Sequence, residues 1–496
     1  MGSIVKQSSI GLIANYIGIL VGFINVMLIM PSLLKAEQIG LINLILSVVM
    51  IVYPILDFSA AQIMGRYFTH VKNKQDIFNL SFIISCCGAL FFILVFIAGQ
   101  SQFIKYYQDN SPEIIPYYWW IYVVSVIMSW AGLAECFSII NSKYHISAFS
   151  REVLFRLGIT GLLLGLTFHL YDFNTYIYFH FLMYGVSGSL ILFYLKSQGL
   201  FKWELKLPSL SASQRKSMFR FGGFTIFTGL AAVIAIRVDM IMLGSMEGLK
   251  DVGIYTIAMF MASTIEIPRK SVLQSSGPII RMAIKENNFD KVAQIQYKTI
   301  LNLLLVGGFI LTILMANLNS IYAIIPNGEI YRTGFWVVLF IGLSKICEML
   351  AGSNDEILIS SRYYRFNIIF IILLTFLSIG LNYSLIPVYG LTGAAASTLL
   401  ATGIIVFFKS WMFRVLFKKS VYTLTIPGVI VFYIVLGGIF YFIPDIIHPI
   451  VSIAIKCLLI GICMFVFLKY TRISPDLNQL INQIFSYLKI DRWIKL

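Results

Sequence analysis

Long apolar segments recur from one end of the chain to the other, and they constrain its fold more than any other feature. A helix that crosses the hydrocarbon core of a bilayer needs about 20 mostly apolar residues, because that core is roughly 30 Å thick. The 496 residues are 59% hydrophobic and only 12% charged, which is too little charge to cover a soluble protein. The sequence therefore predicts a polytopic, all-α membrane protein.

We predict about fourteen transmembrane helices, since each apolar segment has the length of one span. The first segment is too long for the apolar region of a signal peptide and is interpreted as a span. The predicted spans lie near residues 8–30, 40–62, 77–99, 116–140, 153–171, 175–195, 220–243, 253–275, 299–320, 332–352, 366–386, 390–408, 421–443 and 447–469.

Lysine and arginine positions predict the orientation of these spans. One set of alternating loops contains Lys35, Lys105, Lys250 and Arg332, whereas the opposite set contains most of the basic residues, including those of both termini. Loops rich in Lys and Arg stay in the cytoplasm, so the set with only four basic residues consists of the predicted outer loops. We therefore expect an inner-membrane protein with both termini cytoplasmic, and the net charge of +15 indicates membrane topology rather than nucleic acid binding.

An internal repeat relates the two halves of the chain. Residues 28–43 read LIMPSLLKAEQIGLIN and residues 241–256 read IMLGSMEGLKDVGIYT, an offset of 213 positions. At the same offset, FYLKS at 193–197 matches VFFKS at 406–410. Each half contains an even number of helices, so both have the same orientation. Parallel repeats of this kind are typical of transporters, in which the substrate site is expected between the halves.

The repeat sets the predicted domain organisation, which is two parallel six-helix lobes plus two C-terminal helices. The predicted domains are an N-lobe at 1–198, a cytoplasmic linker at 199–219, a C-lobe at 220–410, helices 13 and 14 at 411–472, and an amphipathic cytoplasmic tail helix at 473–496.

A proline occurs at a similar position in each half. Pro54 follows Gly40 in helix 2, and Pro268 follows Gly253 in helix 8. Proline removes a backbone hydrogen bond and kinks a spanning helix. Broken segments in corresponding positions indicate a transport site, so both prolines are candidates for kink and gating roles. Two unrelated kinks are the alternative.

Charged residues inside predicted spans, or just at their inner ends, are the candidate site residues, because a charge near the bilayer centre costs about 2.5–3.5 kcal/mol even on an insertion scale. The basic candidates, which suit an anionic headgroup, are Arg66, Arg237, Arg269, Lys270 and Lys345. The acidic candidates, which suit coupling to H⁺ or Na⁺, are Asp57, Asp239, Glu266, Glu348 and Asp355. Together they predict a polar cavity, in which Lys270 is surplus positive charge if Glu266 and Arg269 neutralise each other.

Structural roles remain open for several of these residues. Glu266 and Arg269 are three positions apart, as are Lys345 and Glu348, so each pair could neutralise itself on one helix face. Arg237 could extend toward the membrane surface. Arg66 could serve only as a topology anchor.

Signals for catalysis, metals and redox chemistry are absent from the sequence. The chain has no phosphate-binding glycine loop followed by Lys and Ser/Thr, and no His, Cys or carboxylate cluster with metal-ligand spacing. All six cysteines fall in apolar segments and are interpreted as packing residues. We expect no enzyme activity, no catalytic residue, no metal and no cofactor beyond a coupling ion.

Two segments resemble bacterial polysaccharide exporters of the O-antigen flippase type. Residues 237–262 resemble the family's helix 7–8 hairpin, in which an Asp precedes a short loop and a Gly-x-Tyr; here these are Asp239, Gly253 and Tyr255. Residues 385–403 resemble the family's helix 11–12 turn. The matching positions there are Pro387, Gly390, Gly393, Ala394 and Ala395. Both motifs are shared across the multidrug/oligosaccharidyl-lipid/polysaccharide exporter superfamily.

The resemblance implies a flippase that moves an undecaprenyl-pyrophosphate-linked oligosaccharide to the periplasmic leaflet by alternating access, in a basic cavity. Its expected partners are the lipid-linked oligosaccharide and membrane lipids, with the glycan polymerase machinery as a candidate. A cation-coupled multidrug exporter and a flippase for the peptidoglycan lipid precursor are the alternatives within the superfamily. A membrane glycan polymerase or ligase would need a large periplasmic loop, which the sequence does not show.

Overall fold

Helices make up the regular structure of this computed structural model, and no β-strand occurs among the residues it describes. The described residues are 14–71, 73–202, 204, 206–208, 210–419, 421–444, 448–479 and 482. The chain divides into two compact units, Met1–Thr256 (unit 1) and Ile257–Leu496 (unit 2). This division does not coincide with the lobe boundaries expected from the repeat, which stay a prediction.

Unit 1 holds the first nine described helices and the start of a tenth. They are α1 (Ala14–Leu33), α2 (Ala36–Leu56), α3 (Ala60–Tyr67), α4 (Lys74–Tyr107), α5 (Tyr118–Ile140), α6 (Tyr144–Ala148), α7 (Phe155–Thr167), α8 (Phe173–Ser197), α9 (Ala212–Met246) and α10 (Leu249–Ser263). A π-helical segment, Phe149–Leu154, joins α6 to α7, and a 3₁₀ turn, Pro112–Tyr117, leads into α5.

Unit 2 begins at Ile257, within α10, and a 3₁₀ turn, Thr264–Glu266, follows that helix. Its further described helices are α11 (Ile267–Lys285), α12 (Phe289–Ala316), α13 (Leu318–Ile324), α14 (Gly328–Arg332), α15 (Phe335–Leu350), α16 (Asn354–Ser360), α17 (Tyr364–Phe417), α18 (Thr425–Phe442) and α19 (Pro449–Thr471).

Ten described helices are long and apolar enough to cross a membrane, or up to eleven if α15 and α16, bent by 45°, form one broken span. The all-α membrane fold predicted from hydropathy is thus confirmed, whereas the count of fourteen spans stays a prediction. One difference has a simple cause: α17 covers both predicted spans 366–386 and 390–408. Gly390 turns the chain between them with φ 56° and ψ −135°, a backbone conformation that residues other than glycine rarely adopt.

The C-terminal tail lies mostly outside the described residues, so the amphipathic helix predicted at 473–496 is not described beyond its start. Residues 475–479 are helical. The carboxylate of Asp476 accepts hydrogen bonds from Lys298 and Asn302 of α12. The beginning of the tail is therefore held against α12.

Two glycines that the repeat predicts to be equivalent contact each other's helices in unit 1. A Cβ on Gly40 would overlap the carbonyl oxygen of Leu249, and a Cβ on Gly253 would overlap that of Ala36. The offset of 213 maps Ala36 onto Leu249 and Gly40 onto Gly253. Reciprocal contact between equivalent residues is what a two-fold relation produces, and small residues let two helix backbones approach this closely. The contact supports the parallel repeat.

The core of unit 2 includes the last two helices. The rings of Phe432 on α18 and Phe467 on α19 stack with centroids 3.9 Å apart. The Tyr433 hydroxyl donates a hydrogen bond to the carbonyl of Leu305 on α12, and its ring fills the space beside Gly308. Tyr433 belongs to the buried apolar cluster of unit 2, and Phe432 and Phe467 pack against that cluster, so α18 and α19 pack as part of unit 2.

The glycine contact predicts an unusual cost for a small substitution. Replacing Gly40 or Gly253 with Ala should destabilise the protein by about 1–3 kcal/mol, because the new methyl group overpacks the helix crossing. Ala is otherwise favoured over Gly in a helix by about 1 kcal/mol. Thermal unfolding of the purified protein in detergent measures the effect.

Gly132→Ala in α5 is the matched control, since a Cβ there meets nothing within 4 Å. It should leave the melting temperature unchanged or raise it. If Gly40→Ala behaves like Gly132→Ala, the close approach is not a feature of the folded protein.

Candidate functional site

Six charged side chains form one network in unit 2, around the break between α10 and α11. Lys345 Nζ lies 3.1 Å from Glu266 Oε2 and 2.9 Å from Glu348 Oε1. The guanidinium of Arg269 lies 3.6 Å from Glu348 and 3.7 Å from Asp355. Lys409 Nζ lies 2.5 Å from the other Asp355 oxygen. Three carboxylates are thus matched by three cationic groups.

Local sequence places these groups within reach of one another. Pro268 sits in the first turn of α11, directly after the 3₁₀ turn that carries Glu266. The bend between α15 and α16 separates Glu348 from Asp355. Because the chain changes direction at both breaks, Glu348 of α15 and Asp355 of α16 both reach Arg269 of α11, whose own side chain is only 16% exposed.

The pairing differs from the one that spacing alone offered. Lys345 and Glu348 do pair, as three-residue spacing allows. Glu266, however, pairs with Lys345 across two elements rather than with Arg269. Only the fold brings α15 beside the 3₁₀ turn, so this exchange of partners is not visible in the sequence.

The network also changes where uncompensated positive charge lies. Arg269 and Lys345 are both neutralised by carboxylates. Of the basic candidates in unit 2, Lys270 is left; it is exposed and has no ion pair within the described part of the chain. The unpaired positive charge among the candidate residues of unit 2 is therefore smaller than the sequence suggests.

In unit 1, the Arg237 side chain lies partly buried in the membrane-spanning helix α9. Among the described residues it makes no hydrogen bond and no ion pair, although Asp239 and Tyr184 lie close enough to interact with it electrostatically. Asp239 is occupied elsewhere: Tyr255 donates to it at 2.5 Å, and so does the Met240 backbone at 2.8 Å. An arginine without a partner inside a span is a functional candidate by default.

Arg66 lies in the last turn of α3 and is exposed. Its guanidinium carbon stands 4.2 Å from the centroid of the Phe221 ring, which is cation–π geometry. It has no carboxylate partner within the described residues. Arg66 and Arg237 are therefore the unpaired basic candidates of unit 1.

Asp57 occupies a break in the second predicted span. Helix α2 ends at Leu56, two residues after Pro54, and α3 begins at Ala60. Phe58 and Ser59 in between adopt left-handed conformations with φ 47° and 55°, which cost free energy for residues with side chains. Strain of this kind tends to persist at functional sites.

The Asp57 carboxylate is 4% exposed and is held by hydroxyl groups rather than by a cation. Ser129 on α5 donates to its Oδ1 at 2.6 Å, and the Ser85 and Ser129 hydroxyls are 2.7 Å apart. The Ala61 backbone N–H donates to Oδ2 at 3.3 Å. No basic side chain pairs with Asp57 in the described ranges.

Sequence reasoning missed three contributors to these sites. Ser85 and Ser129 are single hydroxyls in apolar segments, and no pattern distinguishes them from ordinary packing residues. Lys409 was visible as the basic end of the second repeat string, but its partner Asp355 was not.

No group of three or more side chains that could hold a metal ion occurs among the described residues. The six cysteines are free thiols.

Comparisons with known proteins give a family from one family model and a fold from solved structures. A family model described as "Polysaccharide biosynthesis protein" matches residues 4–281. A search of curated proteins finds no significant match.

Three solved structures with the same fold are distant in sequence. A lipid II flippase, MurJ, in an inward closed conformation is 12% identical with a TM-score of 0.73, over 93% of this chain and 99% of that one. An inward-facing multidrug resistance transporter of the MATE family, in the MOP superfamily, is 14% identical with a TM-score of 0.63, over 84% and 98%. A MOP superfamily transporter from Pyrococcus furiosus is 13% identical with a TM-score of 0.57, over 84% and 96%.

The charge network predicts coupled effects on stability. Lys345→Met should destabilise the protein by at least about 1 kcal/mol, because it leaves Glu266 without its cation in a poorly hydrated place. Adding Glu266→Gln should recover part of that loss, with a coupling free energy of about 0.5–3 kcal/mol. A double-mutant cycle of unfolding in detergent measures it.

Arg332 and Glu329 are the control pair, since they lie 4.0 Å apart with side chains 56% and 90% exposed. The same cycle there should give a coupling between zero and about 1 kcal/mol. Equal coupling in both cycles would contradict a structural role for the Lys345–Glu266 pair.

Proposed function

Because the chain belongs to the polysaccharide biosynthesis protein family, we propose that it translocates an undecaprenyl-pyrophosphate-linked oligosaccharide across the bacterial inner membrane. The carried glycan would be a repeat unit of O-antigen, capsule or exopolysaccharide. The membrane fold, shared with flippases and exporters of the MOP superfamily, supports transport rather than catalysis. Alternating access is the mechanism that such a fold suits.

The proposal depends mainly on one observation: Arg237 lies inside a membrane-spanning helix and forms no ion pair among the described residues. A pyrophosphate group needs a cation where lipid and headgroup cross the membrane, and a guanidinium binds phosphate through two parallel hydrogen bonds. Arg269 and Lys345 already have carboxylate partners, so binding through them would first have to break ion pairs. Arg237 has no such partner to displace, which makes it the better anion-binding candidate.

Asp57 is the proposed coupling residue. A buried carboxylate without a cationic partner accommodates a proton or Na⁺ more readily than one already neutralised by lysine. The adjacent hydroxyls of Ser129 and Ser85 offer further oxygen ligands or a path for a proton. The strained break between α2 and α3 lies beside it, so occupancy of Asp57 would act on a hinge.

Two alternatives have specific support. The similarity to a MATE transporter fits a cation-coupled multidrug exporter, and the similarity to a lipid II flippase fits the peptidoglycan precursor as substrate. A deletion strain separates the three. Accumulated lipid-linked oligosaccharide supports the proposal, loss of drug resistance alone supports the exporter, and arrested peptidoglycan synthesis supports the third.

The anion-binding role predicts that Arg237→Gln lowers glycan export by at least about tenfold, since a hydrogen bond to a charged group is worth about 1.5–3 kcal/mol. Stability should not fall, because Arg237 has no described ion pair. Surface glycan in a complemented deletion strain measures export, and thermal unfolding measures stability.

Arg365→Gln is the matched control, an exposed arginine at the start of α17 whose guanidinium lies 6.0 Å from the Tyr364 ring. It should export normally. Normal export by Arg237→Gln would remove Arg237 from the substrate path, and a loss of both export and stability would assign it a structural role instead.

The coupling role predicts that Asp57→Asn abolishes the response of transport to an imposed ion gradient. Asn keeps the size of the side chain and the Ser129 hydrogen bond, so the fold should be retained, but it binds neither a proton nor Na⁺ comparably. Reconstituted vesicles with and without a pH or Na⁺ gradient provide the measurement.

Asp109→Asn serves as the control for Asp57→Asn, since Asp109 is exposed in the predicted outer loop. It should respond to the gradient like the wild type. A gradient response that survives Asp57→Asn would place coupling at another carboxylate.

A further inference from the structure

A cavity of about 470 Å³ opens at the end of unit 1 that carries the predicted outer loops. Its walls come from the start of α2, the 3₁₀ turn before α5, the start of α8 and the start of α10. The volume falls within the range of about 300–1,000 Å³ that small-molecule sites occupy. Neither the charge network of unit 2 nor Arg237 contributes to it.

Two carboxylates line this outer cavity without a cationic partner. Glu37 lies in the first turn of α2 and Glu113 in the 3₁₀ turn. Both are exposed, and neither forms an ion pair or a side-chain hydrogen bond within the described ranges. Their oxygens are free to accept hydrogen bonds from a ligand's hydroxyl or amino groups, and they disfavour an anion.

A fixed donor faces the same space. The Tyr117 hydroxyl donates to Asn174 Oδ1 at 2.9 Å, and Tyr117 itself is 5% exposed. Because the oxygen of the Asn174 amide is occupied, its NH₂ group is left to donate. Asp172 caps α8, because its carboxylate accepts a hydrogen bond from the Thr175 backbone N–H. Hydrogen bonds from Thr175 lower the pKa of Asp172 and hold the start of this helix in place.

An aromatic ring provides an apolar wall. Tyr178 lines the cavity and is 41% exposed. The ring of Trp120 meets it edge-on with centroids 4.9 Å apart, and the Tyr117 ring lies 5.9 Å away. The Tyr178 ring is thus supported from two sides while remaining open to a ligand.

Hydroxyl-rich ligands with apolar C–H faces match this combination. A pyranose ring stacks its C–H face on an aromatic ring, while its hydroxyls donate to carboxylates and accept from an amide. A lipid tail would leave both carboxylates and the amide without partners, and an acidic ligand would be repelled by Glu37 and Glu113. Neutral sugars and amino sugars satisfy every group.

We propose that this outer cavity binds a neutral or amino-sugar unit of an oligosaccharide after it has crossed the membrane. The inference rests on the proposed function, because it assigns the cavity to the same substrate at the predicted periplasmic face. It adds a sugar-binding subsite, formed by Glu37, Glu113, Asn174 and Tyr178, that is separate from the proposed anion site at Arg237.

The test uses the full-length protein in lipid nanodiscs. The probe is the lipid-free oligosaccharide released by mild acid from the lipid-linked glycan that accumulates in the deletion strain. Isothermal titration measures its binding to the wild type, Tyr178→Ala, Glu113→Gln and the control Tyr389→Ala. Tyr389 is a 62% exposed tyrosine of α17 in unit 2 that does not line the cavity.

Tyr178→Ala should weaken binding by about tenfold, since an aromatic contact is worth up to about 1.5 kcal/mol beyond the area it buries. Glu113→Gln should also weaken binding. Because Glu113 is exposed and Gln has nearly the same shape as Glu, this variant should fold like the wild type. Tyr389→Ala should bind like the wild type.

Unchanged binding by both Tyr178→Ala and Glu113→Gln overturns the sugar site. Calcium chloride titrated alone provides the competing readout: binding that Glu113→Gln abolishes, with oligosaccharide binding unaffected, overturns the proposal in favour of a cation site. If Arg237→Gln blocks export while Tyr178→Ala leaves oligosaccharide binding intact, only the sugar site fails. If no lipid-linked glycan accumulates on deletion, the proposed function fails as well.

Discussion

The reciprocal approach of α2 and α10 at Gly40 and Gly253 fixes the geometry on which unit 1 depends. Each glycine lies against a carbonyl of the other helix, so neither position has room for a side chain. Because the two glycines are equivalent in the repeat, both halves of the chain place a glycine at the same helix crossing. The outer cavity lies beside this crossing, between the starts of the same two helices.

Electrostatic satisfaction is the second constraint, and the two units meet it differently. Unit 2 collects three carboxylates and three cationic groups into one network, in which Arg269 contacts two acids. In unit 1, neither Arg237 nor Asp57 forms an ion pair among the described residues, although Asp239 lies close enough to Arg237 to interact with it electrostatically. Charges inside a membrane are costly unless paired or hydrated, so the unpaired ones are the better candidates for binding substrate or a coupling ion.

How far the sequence predicts this protein depends on the kind of interaction involved. Hydropathy predicts the all-α membrane fold because each span must satisfy its own backbone hydrogen bonds. The repeat predicts the equivalence of Gly40 and Gly253, and the candidate charges are visible as polar residues in apolar segments. Their partners are not predictable in this way: Glu266 joins Lys345 rather than Arg269, and Ser129 reaches Asp57 from another helix.

The sequence by itself determined the membrane fold, the parallel repeat and the identity of the charged candidates, since these depend on composition and on spacing along one helix. Only the tertiary structure decided which charges neutralise each other, where α2 breaks beside Asp57, and that four separate segments enclose an aromatic, acidic cavity. Those features depend on contacts between residues far apart in the chain, such as Tyr117 and Asn174, and only the packing of helices against one another sets such distances.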